Sequence, residues 1–236
     1  MSFFDGLTSY EIVLLVLGVV LFLVILAAFL TLIIKGKPYS KLLPFFVISV
    51  VMIGYTKIQS ISYQNGVVTI TNVTPELQQD PTNTALRQQL QTAVAQTASR
   101  HTSDPDTIAK IATAQYALGD LKDAEANLSL AQEKAPQLPA VAELQQKIEL
   151  DNNLTKLTAQ VTQNPQDQTA KAQLQQAVAS GSSLKIANPV LITHLAGAQL
   201  ALGNSTQATA LNDQALKIQP DLAPATALKQ QMLLKK

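Results

Sequence analysis

The sequence predicts an all-α protein in three parts: a two-helix transmembrane hairpin over residues 1–59, a short β-hairpin or linker over 60–79, and a helical solenoid over 80–236. Three observations carry this expectation. Two apolar runs follow one another near the amino terminus. The later part of the chain is duplicated at an offset of 84 residues. Proline, glycine and Asn/Asp fall where helices start and stop.

The first apolar run, Ile12 to Ile34, holds 23 residues and no charge. That is long enough to cross a bilayer core as a helix. A cleavable signal peptide needs a basic leader and a shorter apolar stretch. This leader carries Asp5 and Glu11 and no Lys or Arg, so a retained anchor is expected. The second run, Leu42 to Tyr55, is shorter. Extended from Ser40 to Ile58, it reaches spanning length if Lys41 and Lys57 snorkel to the interfaces. Tyr39 and Tyr55 then sit at the interfacial belts. A re-entrant or surface-lying segment is the competing reading. Lys35, Lys37 and Lys41 crowd the connecting loop, which places that loop in the cytoplasm and both termini outside. In a bacterium this means the inner membrane, with the carboxy-terminal domain in the periplasm. Neither run has a charge in its middle, which argues against an ion pathway in this chain alone. Gly18, Ala27 and Ala28 offer close helix packing, although no GxxxG occurs.

Between Ile58 and Thr74, two β-leaning runs flank Asn65-Gly66. That dipeptide suits a type I′ turn. A small hairpin at the membrane surface is the expectation, with a structured linker as the alternative.

Residues 80–148 align without gaps on 164–232, with 23 identities in 69 positions. The matches fall on punctuation. Asp80-Pro81 pairs with Asn164-Pro165, Asp104-Pro105 with Asn188-Pro189, Gly119 with Gly203, and Pro136 with Pro220. Asn or Asp followed by Pro starts a helix. A glycine after an apolar turn ends one. Helices are also expected at 83–98, 138–150, 167–180 and 223–235, and Asp151-Asn152-Asn153 offers a break within Pro139–Gln163. The count is about eight helices in antiparallel pairs.

At these residues the chain resembles the tetratricopeptide repeat. From Pro105 it offers Ile108, Ile111, Ala112, Gly119, Asp120, Ala124, Leu128, Ala131 and Pro136. From Pro189 it offers Ile192, Leu195, Ala196, Gly203, Asn204, Ala208, Asn212, Ala215 and Pro220, departing from the family at Asn212, where a bulky apolar residue is wanted. The resemblance implies a right-handed solenoid that binds peptides or partner chains on the face lined by the first helix of each pair. Carried over, that face comprises Asp106, Ala109, Thr113, Tyr116, Val190, Thr193, Gly197 and Leu200. The Lys, Arg and Asn clamp that some relatives use for carboxyl termini is missing. The groove either takes an apolar or helical partner segment or is filled by neighbouring helices of the same chain.

Composition removes several classes of chemistry. There is no cysteine, hence no thiol nucleophile or cysteine zinc site, and there are two histidines, His101 and His194. Net charge is +1, and the part beyond residue 58 is close to neutral with its charges scattered, so nucleic acid is not an expected partner. No GxxxxGK[ST], GxGxxG, HExxH or GxSxG occurs. No catalytic residue, metal ligand or cofactor site is expected. His194 corresponds to Lys110 in the first copy, which reads as an ordinary boundary position.

The expected function is that of a non-enzymatic, membrane-anchored scaffold, an accessory or assembly subunit of an integral membrane protein complex. Its partners are integral membrane proteins and lipid through the anchor, and a protein or peptide through the helical domain. Self-association through solenoid ends is a further route. The alternative is a periplasmic chaperone for exported polypeptides. The overall layout is similar to the apocytochrome-holding subunit of bacterial cytochrome c maturation.

Overall fold

The computed structural model describes residues 7–35, 38, 42–98, 100, 102–184 and 186–234. Among these there are ten helices and no strand. They are α1 (Ser9–Ile34), α2 (Leu43–Gln79), α3 (Thr84–Ala98), α4 (Pro105–Leu118), α5 (Leu121–Lys134), α6 (Pro139–Gln163), α7 (Gln168–Ser182), α8 (Pro189–Ala201), α9 (Ser205–Ile218) and α10 (Ala223–Leu234). Lys37, Tyr39, Lys41, His101 and the terminal lysines lie outside the described residues.

The chain divides into two compact units. The first runs to Val68 and adds Ala95–Asp104; the second holds Thr69–Val94 and the chain from Pro105 onward. In the first unit, α1 and the start of α2 pack antiparallel. Gly18 lies against Met52 and Ile53, where an added Cβ would come within 3.1 Å of the Met52 Cβ. Phe22 and Phe46 meet at 5.5 Å between ring centroids. Ser49 and Thr56 are buried and satisfy their hydroxyls on the carbonyls of Phe46 and Ile53, each at 2.8 Å. Small and self-satisfied residues at the contact are what apolar helices need to approach closely. The start of α1 is fixed by a capping box. Thr8 Oγ1 accepts from the Glu11 amide at 3.3 Å, and Glu11 Oε2 accepts from the Thr8 amide at 2.8 Å. Arg100 Nη1 then donates to both Glu11 oxygens at 3.0 and 2.9 Å, and its Nη2 donates to Gln59.

Both α1 and α2 are long and apolar enough to cross a membrane, and only 11% of the apolar window of each is buried. A core helix of a soluble protein would be covered.

The β-hairpin expected around Asn65-Gly66 does not form. Residues 60–79 belong to α2, which continues unbroken to Gln79. The reason is tertiary. Tyr63, Gly66, Ile70, Val73 and Leu77 recur at alternating three- and four-residue spacing and are the buried residues of this stretch, with Thr74 beside them. That stripe outweighs the β propensity of the Val, Ile and Thr between them. Ile70, Val73 and Leu77 close on Leu90, Ala93, Ile111 and Ala114.

The second unit repeats itself at the level of helix boundaries. Thr84–Ala98 maps onto Gln168–Ser182 by the same 84-residue offset, and the starts of α4, α5 and α6 map onto those of α8, α9 and α10. The end of α2, Gln79, maps onto the end of α6, Gln163. The repeated unit therefore begins inside α2, earlier than residue 80. Asp151-Asn152-Asn153 does not break α6, which runs 25 residues.

Two kinds of connection recur. Turns at Asp80-Pro81, Ala135-Pro136, Asn164-Pro165 and Gln219-Pro220 each close with an amide-to-carbonyl bond of 3.1–3.2 Å across the proline, as a β-turn with Pro in its second position does. Gly119 (φ +92°) and Gly203 (φ +86°) end α4 and α8 in the left-handed region. Behind them, Asp120 N donates to Gln115 O at 2.9 Å and Asn204 N to Gln199 O at 2.8 Å. This is the Schellman arrangement, which satisfies the last carbonyls of a helix.

The main core of this unit lies among α4–α8, with Ala112, Ala124, Ala131 and Leu154 fully covered. Asn212 is fully buried where the first copy has Leu128. Its Nδ2 donates to the Ala225 carbonyl at 3.0 Å, while its Oδ1 has no partner.

Candidate interaction site

The residues carried over from the repeat resemblance lie on α4 and α8. Asn188 caps α8, its Oδ1 accepting from the amides of Val190 at 2.8 Å and Leu191 at 3.2 Å. Pro189 follows at the first helical position.

Helix α6 packs against both α4 and α8. Ala109 and Tyr116 consequently sit in one core with Val141, Leu144 and Ile148 of α6, and Thr193 is buried as well. Asp106, Thr113, Val190, Gly197 and Leu200 are half-buried. Asp106 is engaged by Lys110 at 2.6 Å. Thr113 and Thr193 donate their hydroxyls to the carbonyls of Ala109 and Pro189, each at 2.8 Å. Of these five half-buried residues, Asp106 is charged and the other four are neutral.

The polar centre of this region was not legible in the sequence. Asp151 of α6, 4% exposed, bonds His194 Nδ1 of α8 at 2.6 Å. Thr155 Oγ1 stands 3.4 Å from the same nitrogen. Tyr116 lies close by, its hydroxyl donating to the Lys147 carbonyl at 3.4 Å. Burial, and then the negative charge of Asp151, push the Tyr116 phenol well above its ordinary value, so it stays protonated. Asp151 and Thr155 both approach Nδ1, and this is not a triad. A hydrolytic relay has the carboxylate on one ring nitrogen and the nucleophile on the other. The arrangement instead ties α6 to α8. No cluster of three or more His, Cys, Asp or Glu placed to hold a metal ion occurs among the described residues.

A second buried polar group spans the two copies. Arg87 of α3 is 8% exposed and donates to Ala187 O at 3.0 Å and Leu118 O at 3.4 Å. The carbonyls at the end of α4 carry the negative end of its dipole, which favours a cation there. Burial pushes the guanidinium pKa down from its usual value. Lys171 holds the equivalent place in α7.

No family model matches the sequence, and no curated protein or solved structure matches it either. A groove open to solvent lies between α6 and α7, lined by Leu150, Leu157 and Ala177, by several Gln and Asn amides, and by Glu149, Lys156 and Ser180.

Proposed function

We propose that this chain is a membrane-anchored, tetratricopeptide-like scaffold that acts through protein–protein contacts as an accessory or assembly subunit of an integral membrane complex. The observation that carries this reading is the join at α2. One helix begins as an exposed apolar segment paired with α1 and ends as the first element of a helical repeat array. Exposed apolar helices need lipid or a protein partner. Their contact with one another rests on small residues, a mode of packing that suits docking on another integral protein.

The repeat assignment is supported by the left-handed glycines that end α4 and α8 and by the fully buried alanines Ala124, Ala131, Ala208 and Ala215 of the following helices. The topology proposed is amino terminus and helical domain outside, lysine-rich loop inside.

Two experiments test the reading. Purification of the full chain in a mild detergent, followed by mass spectrometry, should yield integral membrane proteins in fixed ratio. A changing set of substoichiometric exported polypeptides would replace the scaffold by a chaperone. In the cysteine-free background, Ser205→Cys should react with an impermeant thiol reagent added outside intact cells, and Ser40→Cys should not. An unreactive Ser205→Cys that becomes labelled only after lysis would place the helical domain in the cytoplasm.

A further inference from the structure

The groove between α6 and α7 is about 560 Å³ and open to solvent. On α6, Leu150 and Leu157 are one heptad apart and half-buried. Gln146, Asn153 and Gln160 share the same stripe at the same repeat and are exposed. The three- and four-residue spacing is that of a coiled-coil seam, here with an amide at every second position. Among the described residues, the groove along it is lined by α6 and α7 alone. The first copy differs. Its equivalents of Leu150, Leu157 and Ala177 are Gly66, Val73 and Ala93, and all three are buried. An open seam is therefore particular to the second copy.

We propose that a second copy of this chain fills the groove, with the two α6 helices antiparallel and a two-fold axis passing at Asn153. The seam is self-complementary about that residue. Seven residues before it stands Gln146, and seven after it stands Gln160. Each lies about 10 Å along the helix from the axis, so Gln146 of one copy meets Gln160 of the other. Amides carry both donors and acceptors, so like pairs with like. Charge follows the same symmetry. Glu149 lies four residues before Asn153 and Lys156 three after, which sets Glu149 of one copy beside Lys156 of the other. Within the chain, Glu149 accepts from the neutral Gln145 amide at 2.7 Å, and among the described residues Lys156 forms no salt bridge. Leu150 and Leu157 supply the apolar contact on each side of the axis. A parallel arrangement would put Glu149 on Glu149 and Lys156 on Lys156. A closed two-fold contact of this kind limits assembly to a dimer.

The test uses full-length protein in mild detergent with single cysteines at exposed positions. Asn153→Cys should give a disulfide-linked homodimer on mild oxidation. Gln146→Cys alone and Gln160→Cys alone should not cross-link, whereas an equimolar mixture of the two should. Lys156→Glu in the Asn153→Cys background should lower the dimer yield severalfold, and adding Glu149→Lys should restore it. Monomeric Asn153→Cys protein under oxidant would overturn the proposal. So would a product linked to a different protein, or equal cross-linking of Gln146→Cys alone and in the mixture.

Discussion

The two copies in the helical domain share their helix starts and differ in what covers them. At the end of α4, a Cβ added to Gly119 would meet Val190 Cγ2 at 3.3 Å, because α8 follows closely. At the end of α8, a Cβ on Gly203 would meet nothing within 4 Å. Position 110 in the first copy is a lysine that pairs with a half-buried aspartate one turn away, and position 194 in the second is a histidine that bonds a buried one. Leu128 in the first copy is Asn212 in the second. The backbone plan survives these exchanges because it is written in turns and caps. The energetics of each copy depend on its neighbours.

The largest test of that contrast is at the glycines. Gly119→Val combines left-handed strain with a clash against Val190 and should cost roughly 3 kcal/mol. Gly203→Val carries the strain alone and should cost about 1–2 kcal/mol. Thermal melts of the two variants in detergent measure the gap. Equal losses would mean that the α4–α8 approach adds nothing.

Next comes the buried pair. His194→Ala leaves the Asp151 carboxylate buried without its donor and should cost about 2 kcal/mol. Adding Asp151→Leu should recover most of that loss, since removing both partners removes the unmet group. Recovery is read from the midpoint of a denaturant titration.

Asn212→Leu should restore the pattern of the first copy and remove a buried oxygen that has no partner, raising stability by about 1 kcal/mol. The same titration, run on the single variant, checks the sign. A loss would show that the Asn212–Ala225 bond outweighs the unmet oxygen.

The smallest effect is Lys110→Ala, the counterpart of the His194 change. Its pair with Asp106 has side chains 36% and 49% exposed. Exposed pairs one turn apart contribute only about 0.3–0.5 kcal/mol. A loss as large as that of His194→Ala would undo the contrast between the copies.

Much of this architecture was legible because it rests on local rules. Pro136 and Pro220 mark turns by their fixed φ, and Gly119 and Gly203 mark caps because only glycine takes that backbone freely. The two apolar helices were legible from length and composition. The hairpin expectation at Asn65-Gly66 failed because turn propensity is a local signal and the burial of Ile70, Val73 and Leu77 against α3 and α4 is not. The signal was present all the same. Carrying the 84-residue offset back from residue 80 sets Ile70 on Leu154 and Leu77 on Val161, both on the buried face of a helix. The Thr8-x-x-Glu11 capping box could also have been read directly. The Asp151–His194 bond and the reach of Arg87 to Ala187 join residues 43 and 100 positions apart. No spacing rule announces such pairs. Ala109 and Tyr116 were chosen from a pattern that specifies which face they occupy, and that face is covered by α6.

The bond from Arg87 to the Ala187 carbonyl has a consequence in time. It joins residues 100 positions apart. Closing a loop of that length costs entropy before the contact gives anything back. Such a contact forms after the local helix pairs, so weakening it should speed unfolding more than it slows refolding.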